Sequence, residues 1–380
     1  MDFDLNEEQQ MVRNSVREFA QNEIAPIARE YDEAEKFPRP QLDGLAELGI
    51  LGMIIPEEYG GAGFDTVSYA LALEEIAAAD SSVAVIVSVT NSVCCYPILT
   101  FGTEEQKQKY LVPLAKGEKL GAFCLSEPQA GSDATNQKTK AVADGDAYVL
   151  NGTKSWVTNG GEADVYLTMA VTGETDGRRE ITAFLVEGAA EGLAVSSIEH
   201  KMGQCASQTC EMSYTDVKVP KSNVLGELGA GMKVAFSSLD NGRIGIAALS
   251  VGIAQAALEE AKNYAKDRTA FGKPIAEFQA IQHKLADMAT FVEAARLLTL
   301  RAAAMKDAGN KQTGSFASMA KLFASETANK VCAEAVQIHG GNGFSRHYNV
   351  EKYYRDARIT TIYEGTSEMQ RIVISRGILR

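Results

Sequence analysis

The sequence predicts an α+β multidomain chain: an N-terminal helical domain, a central antiparallel β-barrel or sandwich domain, and a C-terminal four-helix bundle. Three observations carry this. Apolar residues recur at helical spacing up to about residue 120 and again from about residue 227. Between them run short alternating stretches broken by Asp-Gly and Asn-Gly, as hairpins require. A chain of 380 residues also exceeds what one hydrophobic core usually holds. The expected boundaries are 1–120, 121–226 and 227–380.

In the first region, Asn6 with Gln9 has capping-box spacing, and Met11, Val12, Val16 and Phe19 follow at helical intervals. The stretch DGLAELGILGMIIPEEYGGAGF ends a helix in a glycine-rich turn, and TVSYALALEEIAAA (66–79) forms another helix. The run SSVAVIVSVTNSVCCYP (81–97) stays open between two readings. Its β-branched content suggests a strand, its length and neighbours a buried helix.

In the second region, AVADGDAYVLNGTKSWVTNG (141–160), ADVYLTMAV, EITAFLVEG, LAVSSIEH and CEMSYTDVKVP read as successive strands. In the third, IGIAALSVGIAQAALEEAKNYAKDR is apolar nearly all round, as a helix inside a bundle should be. Two long helical stretches follow, the second stopping at Gly340 and Gly341, and a last helix begins near Ser367. Ser367 and Gln370 have capping-box spacing. The DNGR stretch (240–243) reads as a turn, or as part of a longer helix.

Composition excludes several classes. The net charge of −13 argues against a nucleic-acid or membrane-surface binder, so an anionic ligand must be met by local cations or helix N-termini. The longest strongly apolar uncharged stretch, around Val83–Val89, is far shorter than the ~20 residues of a membrane span. The acidic N-terminus MDFDLNEEQQ resembles neither a signal nor a transit peptide. The 6 cysteines form no CxxC pair and the 4 histidines are scattered. No metal site is expected; free thiols in a reducing cytoplasm are.

Several motifs are chemically suggestive. GELGAGMKV (226–234) lacks the third small residue and the βαβ setting of a dinucleotide loop. LSEPQAGSDA (125–134) can aim backbone N–H groups at an acceptor-rich ligand; by composition alone it reads first as a connection. KSWVTNG (154–160) holds the only tryptophan beside polar turn residues. RTAFGKP (268–274) offers a guanidinium fork for phosphate, or an ordinary exposed arginine. QIHGGNGF (337–344) offers backbone without Cβ atoms, or a helix end. In IYEGTSEMQ (362–370), Glu364 stands at a loop tip beside Gly365, where a carboxylate can approach a ligand closely or simply be solvated.

The order and spacing of these motifs, with YGGAG (59–63), resemble those of the acyl-CoA dehydrogenase family over essentially the whole chain. The resemblance implies the same three-part fold, FAD as cofactor, a homotetramer, and an electron-transfer flavoprotein as partner. It implies oxidation of an acyl-CoA to a trans-2-enoyl-CoA: a base removes the Cα proton while a hydride leaves Cβ for flavin N5. Glu364 matches the family's base. Hydrogen bonds from the base's own N–H and a flavin ribityl hydroxyl would stabilise the enolate, and desolvation would raise the carboxylate pKa toward neutrality. Gly365 would let the thioester lie against the backbone. Some members carry the base on the helix that here holds LDNGR. Gly242 stands at that position, which favours straight-chain or short-branched substrates.

By matching position, Phe123, Leu125, Ser126 and Ser132, with Trp156, Val157 and Thr158, would wrap the isoalloxazine ring. Ser126 and Thr158 would supply hydroxyl donors; many members have threonine at the first position. Arg268, Phe271 and Gln279, with Gln337, Gly340 and Gly341, would hold the FAD diphosphate and adenine across a subunit boundary. Thr366 and Glu368 would lie near the diphosphate and ribose. Ser132, Asp240 and Arg243 would contact CoA. Residues near Thr90–Tyr96 and Leu249 would set pocket depth; the general look favours short chains such as butyryl-CoA. The alternatives are an oxidase on the same fold, disfavoured by chain length, and a non-catalytic acyl-CoA- or flavin-binding assembly, disfavoured by Glu364 beside the flavin loops.

Overall fold

Helices open the chain. The computed structural model describes residues 4–379; residues 1–3 and 380, at the outer ends of the first and last expected regions, lie outside the described residues. Helices α1 (Glu7–Phe19), α2 (Ala28–Glu33), α3 (Arg39–Glu47), α4 (Thr66–Ala79), α5 (Ser81–Val89), α6 (Tyr96–Phe101), α7 (Glu104–Gln106) and α8 (Val112–Ala115) make up the first region. The Asn6–Gln9 capping box forms in full, and α1 turns Val12 and Val16 inward. Asp65 caps α4 by accepting from the Ser68 N–H, and Asp80 caps α5 through Ser82.

The ambiguous stretch from Ser81 is helical, with a π-helical turn at Thr90–Cys95. Its β-branched residues are tolerated because the whole segment is buried, and packing overrides propensity. The helical run Ser81–Phe101 spans 21 residues, longer than the apolar stretch counted in the sequence. It is apolar enough for a membrane span, but 83% of its apolar window is buried inside the protein.

Eight strands follow: β1 (Gly121–Cys124), β2 (Lys140–Asp144), β3 (Ala147–Thr158), β4 (Val165–Thr175), β5 (Arg178–Glu187), β6 (Leu193–Ile198), β7 (Thr209–Pro220) and β8 (Val224–Leu225). They pair in the order β6-β7-β3-β2-β4-β5-β8, with β1 on β4. The two ends of this path, β6 and β8, are not paired, so the sheet is open and the expected barrel does not close. Nor is it wholly antiparallel: β1 runs parallel to β4, and β2 touches β4 in parallel at Lys140–Val171. The first half of β4 is buried on both faces. Val165, Leu167 and Met169 pack against Tyr110, Leu111 and Leu114 of the helical region, while Tyr166 and Ala170 join Tyr148 and Phe184. Helices on one face and strand side chains on the other explain a run without polar alternation.

The last region holds α9 (Gly231–Asp267), a short hairpin β9 (Thr269–Ala270) and β10 (Lys273–Pro274), α10 (Gln279–Asp307), α11 (Thr313–His339), α12 (Val350–Arg358) and α13 (Ser367–Ile378). The DNGR stretch lies inside α9. Helix α9 packs along α11, α10 and α4. The first and third regions therefore share one core, in which Tyr69, Leu73 and Ile76 meet Ile244, Leu249 and Ala328. Short α12 is an addition to the four expected helices. Its buried Lys352 bonds to Asp80 at 3.0 Å and Asp356 at 2.7 Å, tying it to the first region.

Candidate active site

The loop before α13 is unusual backbone. Glu364 has φ +54 and Gly365 φ +89, two consecutive left-handed residues. A non-glycine residue there is strained and persists only when its surroundings hold it. The holding groups are specific. The Gln370 amide donates from Nε2 to the Glu364 carbonyl at 3.0 Å and the Gly365 carbonyl at 2.9 Å. The Lys321 ammonium donates to the Gly365 carbonyl at 2.7 Å. On the other side, Gln204 donates to the Tyr363 hydroxyl at 3.2 Å, and its own N–H reaches Asp356 at 2.6 Å.

The α13 cap differs from the sequence reading. Thr366 is the N-cap, accepting from the Met369 N–H at 3.3 Å, and the Ser367 hydroxyl is buried without a partner. Gln370 has the i,i+3 spacing from Ser367 that suggested a capping box, but its amide serves the Glu364–Gly365 loop instead.

The Glu364 carboxyl lies over Gly242 in the first half of α9. A Cβ placed there would stand 2.7 Å from Oε2 and 3.0 Å from Cδ. The two alternative base positions of the sequence analysis thus converge on one point in space, and only one carries a carboxylate. Burial raises the Glu364 pKa above its ordinary value; the Arg243 and Lys321 cations pull it back. Among the described residues, no protein acceptor lies on the Glu364 N–H. Arg243 is lowered by burial and supported by Asp240 and Glu364. It bonds Asp240 at 3.4 Å, while its buried Nε has no partner, a donor aimed at something the protein does not supply.

The two loops at 125–134 and 154–158 come together. A bulge in the β3–β7 pairing between Lys154 and Val157 holds Trp156 at φ +61 and turns its ring outward, 63% exposed. Val157 instead points into the sheet core, leaving only its backbone for a ligand. Lys154 is fully buried and donates to the Leu125 carbonyl at 3.1 Å, Glu127 at 2.8 Å and Gln137 at 3.0 Å. The Ser155 N–H meets the Ser126 carbonyl at 2.9 Å. Phe123, Leu125, Ser126 and Thr158 are partly exposed beside them, and Ser132 is exposed. Buried Cys94 lies within electrostatic reach of both Glu364 and Cys124, so Glu364 and the start of the first loop converge near it.

The remaining predicted residues form a second group. Arg268 is exposed at the end of α9, Phe271 stands 96% exposed at the hairpin tip, and Gln279 is exposed at the start of α10. Gln337, Gly340 and Gly341 are exposed at the end of α11, and a Cβ at either glycine would meet nothing within 4 Å. Asn342 donates to the Tyr264 hydroxyl at 2.9 Å, joining the ends of α11 and α9. Among the described residues, no hydrogen bond or ion pair links this group to the loops at 125–134 and 154–158. Glu368 is exposed and held below its ordinary pKa by its own N–H and the Thr366 hydroxyl. Asp240 is partly exposed, beside Gly314 of α11.

Sequence reasoning missed Lys321, Gln370, Gln204 and the Lys154–Glu127 pair. A lysine inside the small apolar run of SMAKLFAS was the available signal for the first; nothing local marked the others.

Models of the N-terminal, middle and C-terminal domains of acyl-CoA dehydrogenases match residues 6–118, 122–217 and 229–379. The chain belongs to the acyl-CoA dehydrogenase family. It is 47% identical over 380 residues to the short-chain specific acyl-CoA dehydrogenase of Clostridium acetobutylicum, covering 100% of both chains. Its fold superposes on butyryl-CoA dehydrogenase from Megasphaera elsdenii with a TM-score of 0.98, 47% identity and 100% coverage of both. A chain from a structural study of the electron transferring flavoprotein of Acidaminococcus fermentans and flavin-based electron bifurcation matches with the same TM-score of 0.98, at 48% identity and 100% coverage of both.

Proposed function

We propose that this protein is an FAD-dependent acyl-CoA dehydrogenase that desaturates a short-chain acyl-CoA to the trans-2-enoyl-CoA, a step of fatty-acid β-oxidation, with Glu364 as base. The observation that carries the assignment is the Glu364 carboxyl held against Gly242 within the electrostatic influence of the Arg243 and Lys321 cations.

The residues present fit the cofactor. An outward tryptophan on strained backbone, two loops bolted side by side, and a glycine turn with no Cβ obstruction are what a flat ring and a diphosphate need. Phe123, Leu125, Ser126, Ser132, Trp156, Val157 and Thr158 would hold the flavin, and Arg268, Phe271, Gln279, Gln337, Gly340 and Gly341 the diphosphate and adenine, with Thr366 and Glu368 beside them. When bound there, FAD would supply the acceptor for the hydride that leaves the substrate's Cβ.

The chain's own residues do the rest. Arg243 and Lys321 favour the ionised form of Glu364 against the burial that opposes it. A thioester entering over Gly365 removes that water and strengthens the base. Glu364 then takes the Cα proton. Its N–H, free of protein acceptors, is placed to receive the thioester oxygen as charge develops there. Arg243, through its unpartnered Nε, with Asp240 and Ser132, steadies the CoA portion.

Two exposed aromatics, Phe271 at 96% and Phe344 at 91%, support a homotetramer in which the second group of residues serves a neighbouring subunit's cofactor. The regions 1–120, 121–226 and 227–380 are its working units. Electrons pass on to an electron-transfer flavoprotein, and free buried thiols fit a cytoplasmic setting. The deciding experiment is anaerobic titration of the yellow protein with acyl-CoAs of increasing length. Bleaching that is fastest with the shortest chains supports the assignment. Peroxide release in air would favour the oxidase, and no bleaching would refute both.

A further inference from the structure

Three lysines are buried in the described structure: Lys154, Lys321 and Lys352. Burying an ammonium is costly unless it is paired. Lys154 has Glu127 at 2.8 Å, and Lys352 has Asp80 and Asp356. Lys321, with none of its surface exposed, is different. Among the described residues no carboxylate lies within 4.0 Å of its nitrogen, and its hydrogen bond goes to the Gly365 carbonyl. Gly365 is the residue after the base.

We propose that Lys321 is a positioning residue for the base: its ammonium, with the Gln370 amide, fixes the Glu364–Gly365 peptides and keeps the Glu364 carboxylate charged without pairing with it directly. The inference rests on Glu364 being the base.

Two features of the geometry support the role. In a trans peptide the C=O and the following N–H point opposite ways. No cis peptide is present. Lys321 and Gln370 draw the carbonyls of residues 364 and 365 toward α11 and α13, so the N–H groups of Gly365 and Thr366 face the other side. The counter-charge also sits one residue away. A direct ion pair would occupy the oxygen that must accept the proton, whereas a cation behind the backbone stabilises the carboxylate and leaves its lone pairs free.

The groups facing this pair come from every packed element. Glu364 feels Arg243 of α9 and Lys321 of α11, and it lies near Tyr69 of α4, Cys94 and Tyr363. Lys321 feels Glu364, Arg243, Glu368 and Glu326; burial, its largest influence, brings its pKa down to about 8. It is therefore charged throughout the acidic range.

The test compares Lys321→Gln, Lys321→Met and Lys321→Arg holoenzymes. Glutamine keeps a donor for the Gly365 carbonyl, so it separates charge from packing even if the methionine variant fails to fold. Two quantities are read: the acid limb of the kcat/KM profile, and the ionisation of Glu364 in substrate-free protein by infrared titration with isotope-labelled glutamate. Loss of the cation should move both to higher pH in Lys321→Gln. Lys321→Met should in addition lower kcat by about tenfold, about 1.4 kcal/mol, with KM changing less. Lys321→Arg should keep the wild-type acid limb. An unmoved acid limb and infrared titration in Lys321→Gln would overturn the proposal, as would an arginine variant shifted as far as the glutamine one. Glu364→Gln runs alongside. If that variant still turns over, the base assignment itself fails; if it is inactive while Lys321→Gln is unshifted, only the role of Lys321 fails.

Discussion

Gly242→Ala should make the protein no less stable and far less active. A methyl group at residue 242 would stand 2.7 Å from Glu364 Oε2 and 3.1 Å from Oε1. Ordinary contact begins near 3.4 Å, so the carboxyl must retreat by roughly 0.7 Å. The atom that moves is the far end of a flexible side chain, so the protein accommodates it cheaply. Replacing glycine inside α9 favours the helix by roughly 0.5–1 kcal/mol. The chemistry is less tolerant: a ~1 Å misplacement of a reacting group can cost ~100-fold. We expect kcat to fall by roughly 10- to 100-fold while Tm holds or rises. The assay is anaerobic flavin reduction under single-turnover conditions, with thermal unfolding of the same sample. A variant within about twofold of wild type would refute the placement of Glu364 against α9. A lowered Tm would refute the claim that only the side-chain tip is in the way.

Two further outcomes follow from the scaffold of the proposed flavin loops. Burial alone would raise the Glu127 pKa, but Lys154 and the N–H groups of Lys138 and Thr139 bring it down to about 2. A carboxylate lowered on folding contributes stability that is full above its unfolded pKa near 4.3 and fades as pH falls toward about 2. Lys154 is itself lowered, because burial outweighs its pairing, so the net gain is smaller than Glu127 alone implies. Glu127→Gln should therefore lose about 3–5 kcal/mol at pH 7, chiefly by stranding Lys154, and show a flatter acid-unfolding curve between about pH 4 and 2. Trp156, the only tryptophan, should lose emission when FAD is added to cofactor-stripped protein; unchanged fluorescence would mean that the ring does not face the flavin.

Features set by local pattern were legible in the sequence. The Asn6–Gln9 box, the Asp-Gly turn between β2 and β3 and the long bundle helices declare themselves through residues a few positions apart, whereas the Asn151-Gly152 pair expected to turn the chain lies inside β3 as an irregularity in its pairing with β7. What depends on distant partners was not. Nothing in GAFC announces that β1 will lie parallel to β4, and Ser81–Cys95 is helical because neighbours bury it on every side. The site divides the same way. Glu364, Trp156 and Arg243 stand in motifs with a recognisable order. Gln370 misled because one spacing serves a cap and a tertiary clamp equally well, and Lys321 showed only as a lysine in an apolar run, because its partner carbonyl lies 44 residues away.

The central claim is that Glu364 removes the Cα proton. It is tested most directly with an acyl-CoA whose Cβ is replaced by sulfur, a ligand that can lose an α-proton but no hydride. In heavy water, wild-type enzyme should exchange that proton for deuterium, and Glu364→Gln should bind the same ligand but exchange it at least ~100-fold more slowly. Exchange at the wild-type rate in the variant would contradict the account.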